Sequence, residues 1–147
     1  MVYCGVICVK DTSKIIEELG LCEDFKTFYD ENRQFMVKSS LSQMLNELIK
    51  EKKLRKSRVI RNAELSEVYA YQIFSGVRMP ERKKLLSLAI GMELNLDETQ
   101  KLLKCAGYPP LYVKIPFDSV IIYGIFKKLS VIDINEMLFE YELETLG

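Results

Sequence analysis

The chain has 147 residues, of which 48% are apolar, and its 21 basic and 21 acidic side chains give a formal net charge of zero. This length and apolar content suffice for a domain with a substantial core. No run of about 18 uncharged apolar residues occurs, so no transmembrane helix is predicted. The four cysteines show no CxxC spacing, histidine is absent, and no nucleophile and base motif occurs. We therefore expect no metal site, no cofactor and no enzymatic activity.

The N-terminal segment is MVYCGVICVKD. Its apolar run is short, no basic residue precedes it, and no small-residue cleavage site follows it. We expect a mature N-terminus that forms a strand or a buried tail, in a cytoplasmic protein with reduced thiols. A redox-sensing pair at Cys4 and Cys8 is the alternative interpretation of two of the cysteines.

Helical periodicity and cap signals predict helices along almost the whole chain, beginning with two before residue 38. The first covers residues 12–19 and is expected to end at Gly20. The second belongs to an aromatic set that is expected to form a buried stripe, namely Phe25, Phe28, Tyr29 and Phe35.

The next five predicted helices form the middle of the chain. Ser40 and Gln43 make a capping box for the first of them. Two short helices then meet at a tight turn, and the residues predicted to face inward are Val59, Ile60, Ala63, Leu65, Ala70, Ile73 and Phe74. Ser66 is the expected N-cap of the second short helix and Gly76 its end. Pro80 is placed in the first turn of the fourth helix, and Asp97 with Gln100 is the capping pattern of the fifth, which ends at Gly107.

Two further amphipathic segments, residues 118–128 and 130–141, predict a C-terminal helical pair. The inward positions of the second are Val131, Ile134, Leu138 and Tyr141. Residues 120–123 are Val-Ile-Ile-Tyr and also suit a short strand, because β-branched side chains lose rotamer freedom in helices. We favour the helix.

Charge is distributed unevenly along the chain. Residues 50–87 hold eleven basic and four acidic side chains, whereas both flanking segments are net acidic. Such a run is compatible with a solvated helix surface, and the lysines at 50–53 also complement a helix dipole. The same cations are equally suited to phosphate contacts.

The basic segment contains the two short helices, in the stretch LRKSRVIRNAELSEVYAYQIFSGVRMP at residues 54–80. This stretch has the layout of a helix-turn-helix, and three later runs follow it: the leucine-rich residues 85–89, LDETQKLLKCAGY at 96–108, and PLYVKIPFDSVIIYGIFKKLSVIDINEMLFE at 110–140. Together they resemble the XRE family of Cro and lambda-repressor-like regulators, in particular its subgroup from low-GC Gram-positive bacteria.

The resemblance implies an all-α fold with a lambda-repressor-like five-helix core at residues 39–108. Helical extensions precede it at 1–38 and follow it at 109–147. Residues 59–63 then lie in the helix that crosses the phosphate backbone, and residues 66–75 form the recognition helix of the major groove. The DNA-contacting positions carried over are Lys56, Ser57, Arg61, Ser66, Glu67, Val68, Tyr71, Gln72, Arg78 and Lys83.

The resemblance also assigns chemistry to several of these positions. Gln72 is suited to a bidentate contact with adenine, and Val68 to a thymine methyl group. Arg78 and Lys83 are expected at phosphates. The chain departs from the family pattern at Glu64, which replaces a turn glycine, and at Glu67. The Glu67 carboxylate is unfavourable beside a polyanion unless it accepts from a cytosine amino group or faces Arg61 or Lys56.

Two functions follow. The first is a sequence-specific transcriptional regulator that binds double-stranded DNA as a homodimer, with the C-terminal pair as dimer contact or effector surface. The second is a protein-interaction module on the same scaffold that does not bind DNA and grips a protein partner through Glu67 and Tyr71, or through either extension. Salt dependence separates them, because only phosphate binding weakens steeply with salt. Neither function involves a membrane.

Overall fold

The computed structural model of the chain describes residues 10–36 and 40–147. All regular structure in these two ranges is helical, which confirms the predicted all-α class. Within the same ranges, no helix combines the length and the apolar character that crossing a bilayer requires. The expected N-terminal strand or tail and the Cys4–Cys8 pair lie outside the described residues.

The chain divides into two compact units, Met1–Ser39 and Ser40–Gly147. The described part of the first unit contains helix α1 (Thr12–Leu21) and helix α2 (Phe25–Asn32). A single 3-10 turn at Arg33–Phe35 follows α2.

Helix α1 continues through Gly20, so the predicted helix end at this glycine is wrong. The chain leaves the helix at Cys22, whose backbone is extended at φ −72° and ψ 142°. Gly20 is not among the residues with positive φ. A glycine ends a helix only where its left-handed conformation is used, and at Gly20 it is not.

The aromatic side chains of the first unit are only partly buried. Phe28 is buried and Phe35 is half-buried, whereas Phe25 is 62% exposed and Tyr29 is also exposed. The expected buried stripe is therefore wrong for Phe25 and Tyr29. Both of their rings stay close to a neighbour, since the Phe25 centroid lies 5.9 Å from that of Phe28 and 6.0 Å from that of Tyr29.

Lys10 links three parts of the first unit. Its Nζ donates to Glu18 Oε2 at 2.5 Å and to Asn32 Oδ1 at 2.9 Å, and it lies 5.3 Å from the Phe35 ring centroid. Asn32 is buried and its amide donates to the Phe28 carbonyl at 3.0 Å. The hydrogen bond from Lys10 lowers the pKa of the Glu18 carboxyl.

The second unit contains the remaining helices of residues 40–147. They are α3 (Leu41–Glu51), α4 (Lys56–Asn62), α5 (Glu67–Ser75), α6 (Arg82–Gly91), α7 (Leu96–Cys105), α8 (Pro116–Lys127) and α9 (Val131–Glu140). The capping box at the start of α3 is confirmed, with the Gln43 N–H donating to Ser40 Oγ at 3.3 Å and the Ser40 N–H to Gln43 Oε1 at 3.0 Å. Residues 120–123 are helical, which excludes the strand.

All seven helices of the second unit end in the same way. A residue with positive φ follows each, namely Lys53, Glu64, Gly76, Glu93, Gly107, Lys128 and Glu142. The next N–H donates to the carbonyl five residues earlier, and these donors are Leu54, Leu65, Val77, Leu94, Tyr108, Leu129 and Leu143. This is the Schellman motif. It confirms the predicted ends at Gly76 and Gly107 and occurs five more times without glycine.

Helix α6 is the centre of the second unit. It packs against α4, α7 and α9, while α3 packs against α5 and α7, and α8 packs against α7 and α9. Its buried residues are Leu85, Leu86, Ser87, Leu88, Ala89, Ile90 and Gly91. A helix that is buried on all sides is suited to joining separate layers of a domain.

Two predicted features at the ends of α6 and α7 are wrong. Pro80 lies before α6 and not in its first turn, because the N-cap of α6 is Glu81. The Pro80 carbonyl accepts from the Tyr108 hydroxyl at 2.6 Å. The cap of α7 is a box formed by Asn95 and Glu98, not by Asp97 and Gln100. Two overlapping polar pairs at the same spacing occur there, and periodicity alone does not choose between them.

Gln100 and Asp118 hold the connector between α7 and α8. The Gln100 side chain donates to the Leu111 carbonyl at 2.9 Å and accepts from the Leu111 N–H at 2.7 Å. Asp118 is 1% exposed and accepts from the Arg82 guanidinium at 3.0 and 3.1 Å and from the Tyr112 N–H at 2.9 Å. These contacts join the C-terminal pair to α6.

The C-terminal pair packs closely along one face. A Cβ added at Gly124 in α8 would overlap the side chain of Ile134 in α9. Val131, Ile134 and Leu138 are buried, as predicted. Tyr141 is exposed, contrary to the prediction, because α9 ends before it and its backbone no longer continues the helix.

Candidate nucleic-acid interface

Helices α4 and α5 form the two-helix unit that the sequence predicts. Val59 and Ile60 of α4 are buried, as are Ala70, Ile73 and Phe74 of α5. The two helices pack against each other, and α5 also packs on α3. The amide of Asn46 in α3 donates to the Phe74 carbonyl at 2.8 Å, which holds the C-terminal end of α5. Helix α5 is therefore fixed along its inner face and at its last turn.

The turn between α4 and α5 contains Glu64 in the left-handed conformation, at φ 58°. The predicted N-cap of α5 is confirmed, since Ser66 Oγ accepts from the Tyr69 N–H at 3.3 Å. Glu67 lies in the first turn of α5, where a carboxylate complements the positive end of the helix dipole. Glu67 thus has a local structural role on this surface.

The exposed face of α5 combines two large apolar side chains with polar ones. Val68 is 72% exposed and Tyr71 is 45% exposed, and Ser66 and Glu67 are exposed beside them. Gln72 is half-buried at the edge of this face, and its backbone carbonyl accepts from the Val77 N–H at 3.0 Å. The predicted groove-facing residues therefore lie on the N-cap and the first two turns of one helix.

Two predicted contact residues rest on aromatic rings. Lys56 Nζ lies 5.2 Å from the centroid of the Phe74 ring, and the Arg78 guanidinium carbon lies 5.3 Å from that of Tyr69. Cation–π contacts of this kind are attractive and restrict long side chains. They place one cation at each flank of α5.

The outer face of α4 carries a row of guanidinium groups. A depression of about 490 Å³ is lined by Arg55, Ser57, Arg58, Arg61 and Asn62, all of them exposed. No carboxylate lines it among the described residues. Ser57 and Arg61 are predicted site residues, whereas Arg55 and Arg58 are additional. The spacing of three residues places Arg58 and Arg61 on one face of α4, and Arg55 precedes them as the N-cap of that helix. We call these three residues the arginine row.

Three cations of the basic segment are paired elsewhere. Lys52 lies 3.0 Å from Glu98, Arg82 forms the ion pair with Asp118, and Lys83 Nζ lies 2.6 Å from Glu144 Oε2. The other eight form no ion pair within residues 10–36 and 40–147. Lys83, a predicted phosphate contact, is therefore held by the C-terminal tail, while the arginine row has no such partner in those ranges.

No family model, curated protein or solved structure matches this chain. In the part of the chain that the structure describes, no group of three or more acidic, cysteine or histidine side chains is placed to hold a metal ion. Function is therefore inferred from the surface that α4 and α5 form.

Replacing Glu64 with glycine is expected to raise the free energy of unfolding by about 1 kcal/mol, because a side chain at φ 58° is strained and glycine is not. Chemical denaturation of the full chain measures the change. Glu64→Ala is the matched control, since it removes the same carboxylate but keeps a Cβ. Equal stabilisation by both variants would assign the effect to charge and contradict the backbone explanation.

Proposed function

We propose that the chain is a sequence-specific DNA-binding transcriptional regulator of the XRE family, with α5 as its recognition helix. The observation that carries the proposal is a two-helix unit, α4 packed on α5, that carries both the exposed residues of α5 and the arginine row. A helix fits the major groove, where sequence is read, and cations beside it neutralise the phosphates. This combination on one two-helix unit supports the lambda-repressor-like core.

The arginine row supplies sequence-independent affinity in this proposal. Arg55, Arg58 and Arg61 are exposed and line one depression without a carboxylate, and Arg61 also lines a neighbouring depression that contains Glu64, Glu93 and Glu98. Guanidinium groups bind phosphate in bidentate fashion, which fixes orientation as well as charge. Lys56 and Arg78, each resting on an aromatic ring, provide phosphate contacts on either flank of α5.

The exposed face of α5 supplies specificity. Val68 contacts a thymine methyl group, and the Gln72 amide pairs with adenine. Glu67 accepts from a cytosine amino group, which is the base contact open to a carboxylate in the major groove. Two copies of the chain bind two half-sites one helical turn apart.

A second candidate function is a protein-interaction module that does not bind DNA. The observation that favours it is a set of exposed apolar side chains on and just after α5, namely Val68, Tyr71, Val77 and Met79. Together with Glu67 they offer an anchor for a protein partner. A mainly apolar contact of this kind would respond little to salt.

The proposal is tested by binding to duplex DNA at several salt concentrations. The full chain first selects duplexes from a random-sequence pool, and fluorescence anisotropy then measures affinity for the selected duplex and a scrambled one. We expect preference for the selected duplex and a steep fall of affinity with salt. Gln72→Ala should cost about 1–3 kcal/mol on the selected duplex and relax preference at one base pair.

Arg58→Gln should weaken both duplexes alike and reduce the salt slope by about 1. Arg33→Gln is the matched control, an exposed arginine of the first unit that should change neither value. Weak binding to both duplexes, unaffected by Gln72→Ala and Arg58→Gln, would reject DNA recognition and favour the protein-interaction module.

A further inference from the structure

The start of α6 concentrates positive charge. Its first three residues are Arg82, Lys83 and Lys84, and its first turn contains no acidic residue. The N-cap Glu81 makes no side-chain hydrogen bond to the free N–H groups of this turn. The positive end of the helix dipole lies at the same place, so anions are attracted there. An anion beside the first turn of α6 is therefore stabilised by both the cations and the helix.

Two carboxylates from later segments of the chain bind these cations, and they differ in burial. Asp118 pairs with Arg82 at 3.0 Å, and its side chain is 2% exposed. Glu144 Oε2 lies 2.6 Å from Lys83 Nζ, and the Glu144 side chain is 81% exposed. A buried pair is costly to break, whereas an exposed pair contributes little and exchanges its partner readily. Glu144 is therefore the carboxylate that another anion can displace.

The C-terminal tail, residues 142–147, is anchored on both sides of Glu144. It begins directly after the Schellman closure of α9. Beyond Glu144, Leu146 is 1% exposed and its N–H donates to Asn135 Oδ1 of α9 at 2.7 Å. A Cβ added at Gly147 would overlap Lys84 Nζ, so the tail continues along the start of α6. These anchors keep the Glu144 carboxylate beside Lys83 at a high effective concentration.

We infer that the tail is an autoinhibitory strap, in which the Glu144 carboxylate occupies the position of a DNA phosphate on Lys83. DNA must displace Glu144 before Lys83 contacts the backbone, and the displaced carboxylate then repels the phosphates near it. The strap lowers affinity for every duplex alike, because a phosphate contact carries no sequence information. This inference rests on the proposed function, for which the family resemblance places Lys83 at a phosphate.

The test compares Glu144→Gln with the wild-type chain by fluorescence anisotropy on the selected and the scrambled duplex. Glu144→Gln keeps the shape of the side chain but not its charge, and should raise affinity for both duplexes about threefold. Glu142→Gln is the matched control, since Glu142 is an exposed residue of the same tail without an ion pair to any described residue. It should change neither affinity. In a Lys83→Gln background, Glu144→Gln should give no gain.

A second measurement tests the contact without DNA. An amine-specific reagent labels the lysines of the folded chain, and mass spectrometry gives the labelling rate of each. Glu144→Gln should raise the rate at Lys83 about twofold or more, because no carboxylate then holds its ammonium group. Lys101, which pairs with Asp97 at 3.5 Å, is the internal reference and should not change.

The outcomes separate the strap from the proposed function. An equal gain from Glu142→Gln, a gain that persists in the Lys83→Gln background, or an unchanged labelling rate at Lys83 would each overturn the strap. Duplex binding that Glu144→Gln does not improve would reject the strap alone. Failure of every variant to bind either duplex would reject the proposed function, and the inhibitory role of the tail with it.

Discussion

Replacing Arg82 with methionine is expected to lower the free energy of unfolding by about 3 kcal/mol. Methionine keeps most of the packing but leaves the Asp118 carboxylate buried without its cation. Removing one partner of a buried ion pair costs about 3–5 kcal/mol, and the lower value suits this pair because Arg82 is partly exposed and Asp118 keeps the Tyr112 N–H. Hydrogen exchange of the α6 amides measures the loss directly in the second unit.

The adjacent residue provides the control for this prediction. Lys83 also forms an ion pair, but its partner Glu144 is 81% exposed. Lys83→Met should therefore cost less than about 1 kcal/mol. Similar losses in the two variants would show that burial of Asp118 does not determine the stability of the connector, and would contradict the prediction.

Replacing Gly91 with alanine is expected to destabilise the second unit by about 2 kcal/mol. The added Cβ would lie 2.8 Å from the Val59 carbonyl oxygen and 2.9 Å from the Ala63 nitrogen. Both are backbone atoms of α4 and its C-cap, so only a shift of that segment relieves the overlap, and overpacking of this kind costs about 1–3 kcal/mol. The shift also moves the arginine row, so affinity for duplex DNA should fall together with stability.

Gly124→Ala is the comparison for Gly91→Ala. Its Cβ would overlap the end of the Ile134 side chain, which can adjust where backbone cannot. Denaturation of both variants should show a smaller loss of the free energy of unfolding for Gly124→Ala than for Gly91→Ala. A larger loss for Gly124→Ala would mean that α4 accommodates the methyl group more readily than α9.

Features encoded within one or two helical turns could be predicted from the sequence. The capping box at Ser40, the N-cap at Ser66 and the ends at Gly76 and Gly107 are all confirmed, because each depends on residues a few positions apart. The inward faces of α4 and α5 follow from apolar spacing in the same way.

Two kinds of feature could not be predicted from the sequence: contacts between residues far apart in the chain, and turns in which a residue other than glycine has positive φ. Arg82 and Asp118 are 36 positions apart, and no local pattern indicates that they meet. Lys83 resembles a free cation in the sequence, yet it pairs with Glu144, 61 positions later. Glu64 and Lys53 take a conformation that is normally assigned to glycine, so composition gives no sign of it. DNA contacts at the predicted positions remain a prediction.

The repeated helix ends of residues 40–147 have a consequence for the folding pathway. Each Schellman closure is made by residues within one short stretch, so the boundaries of all seven helices are set by local interactions. Forming these helix ends therefore closes no long loop, and the entropy of loop closure is lost only when the helices pack against one another. We expect rapid folding of this unit, as in other helical proteins of low contact order, with docking rather than helix formation as the rate-limiting step.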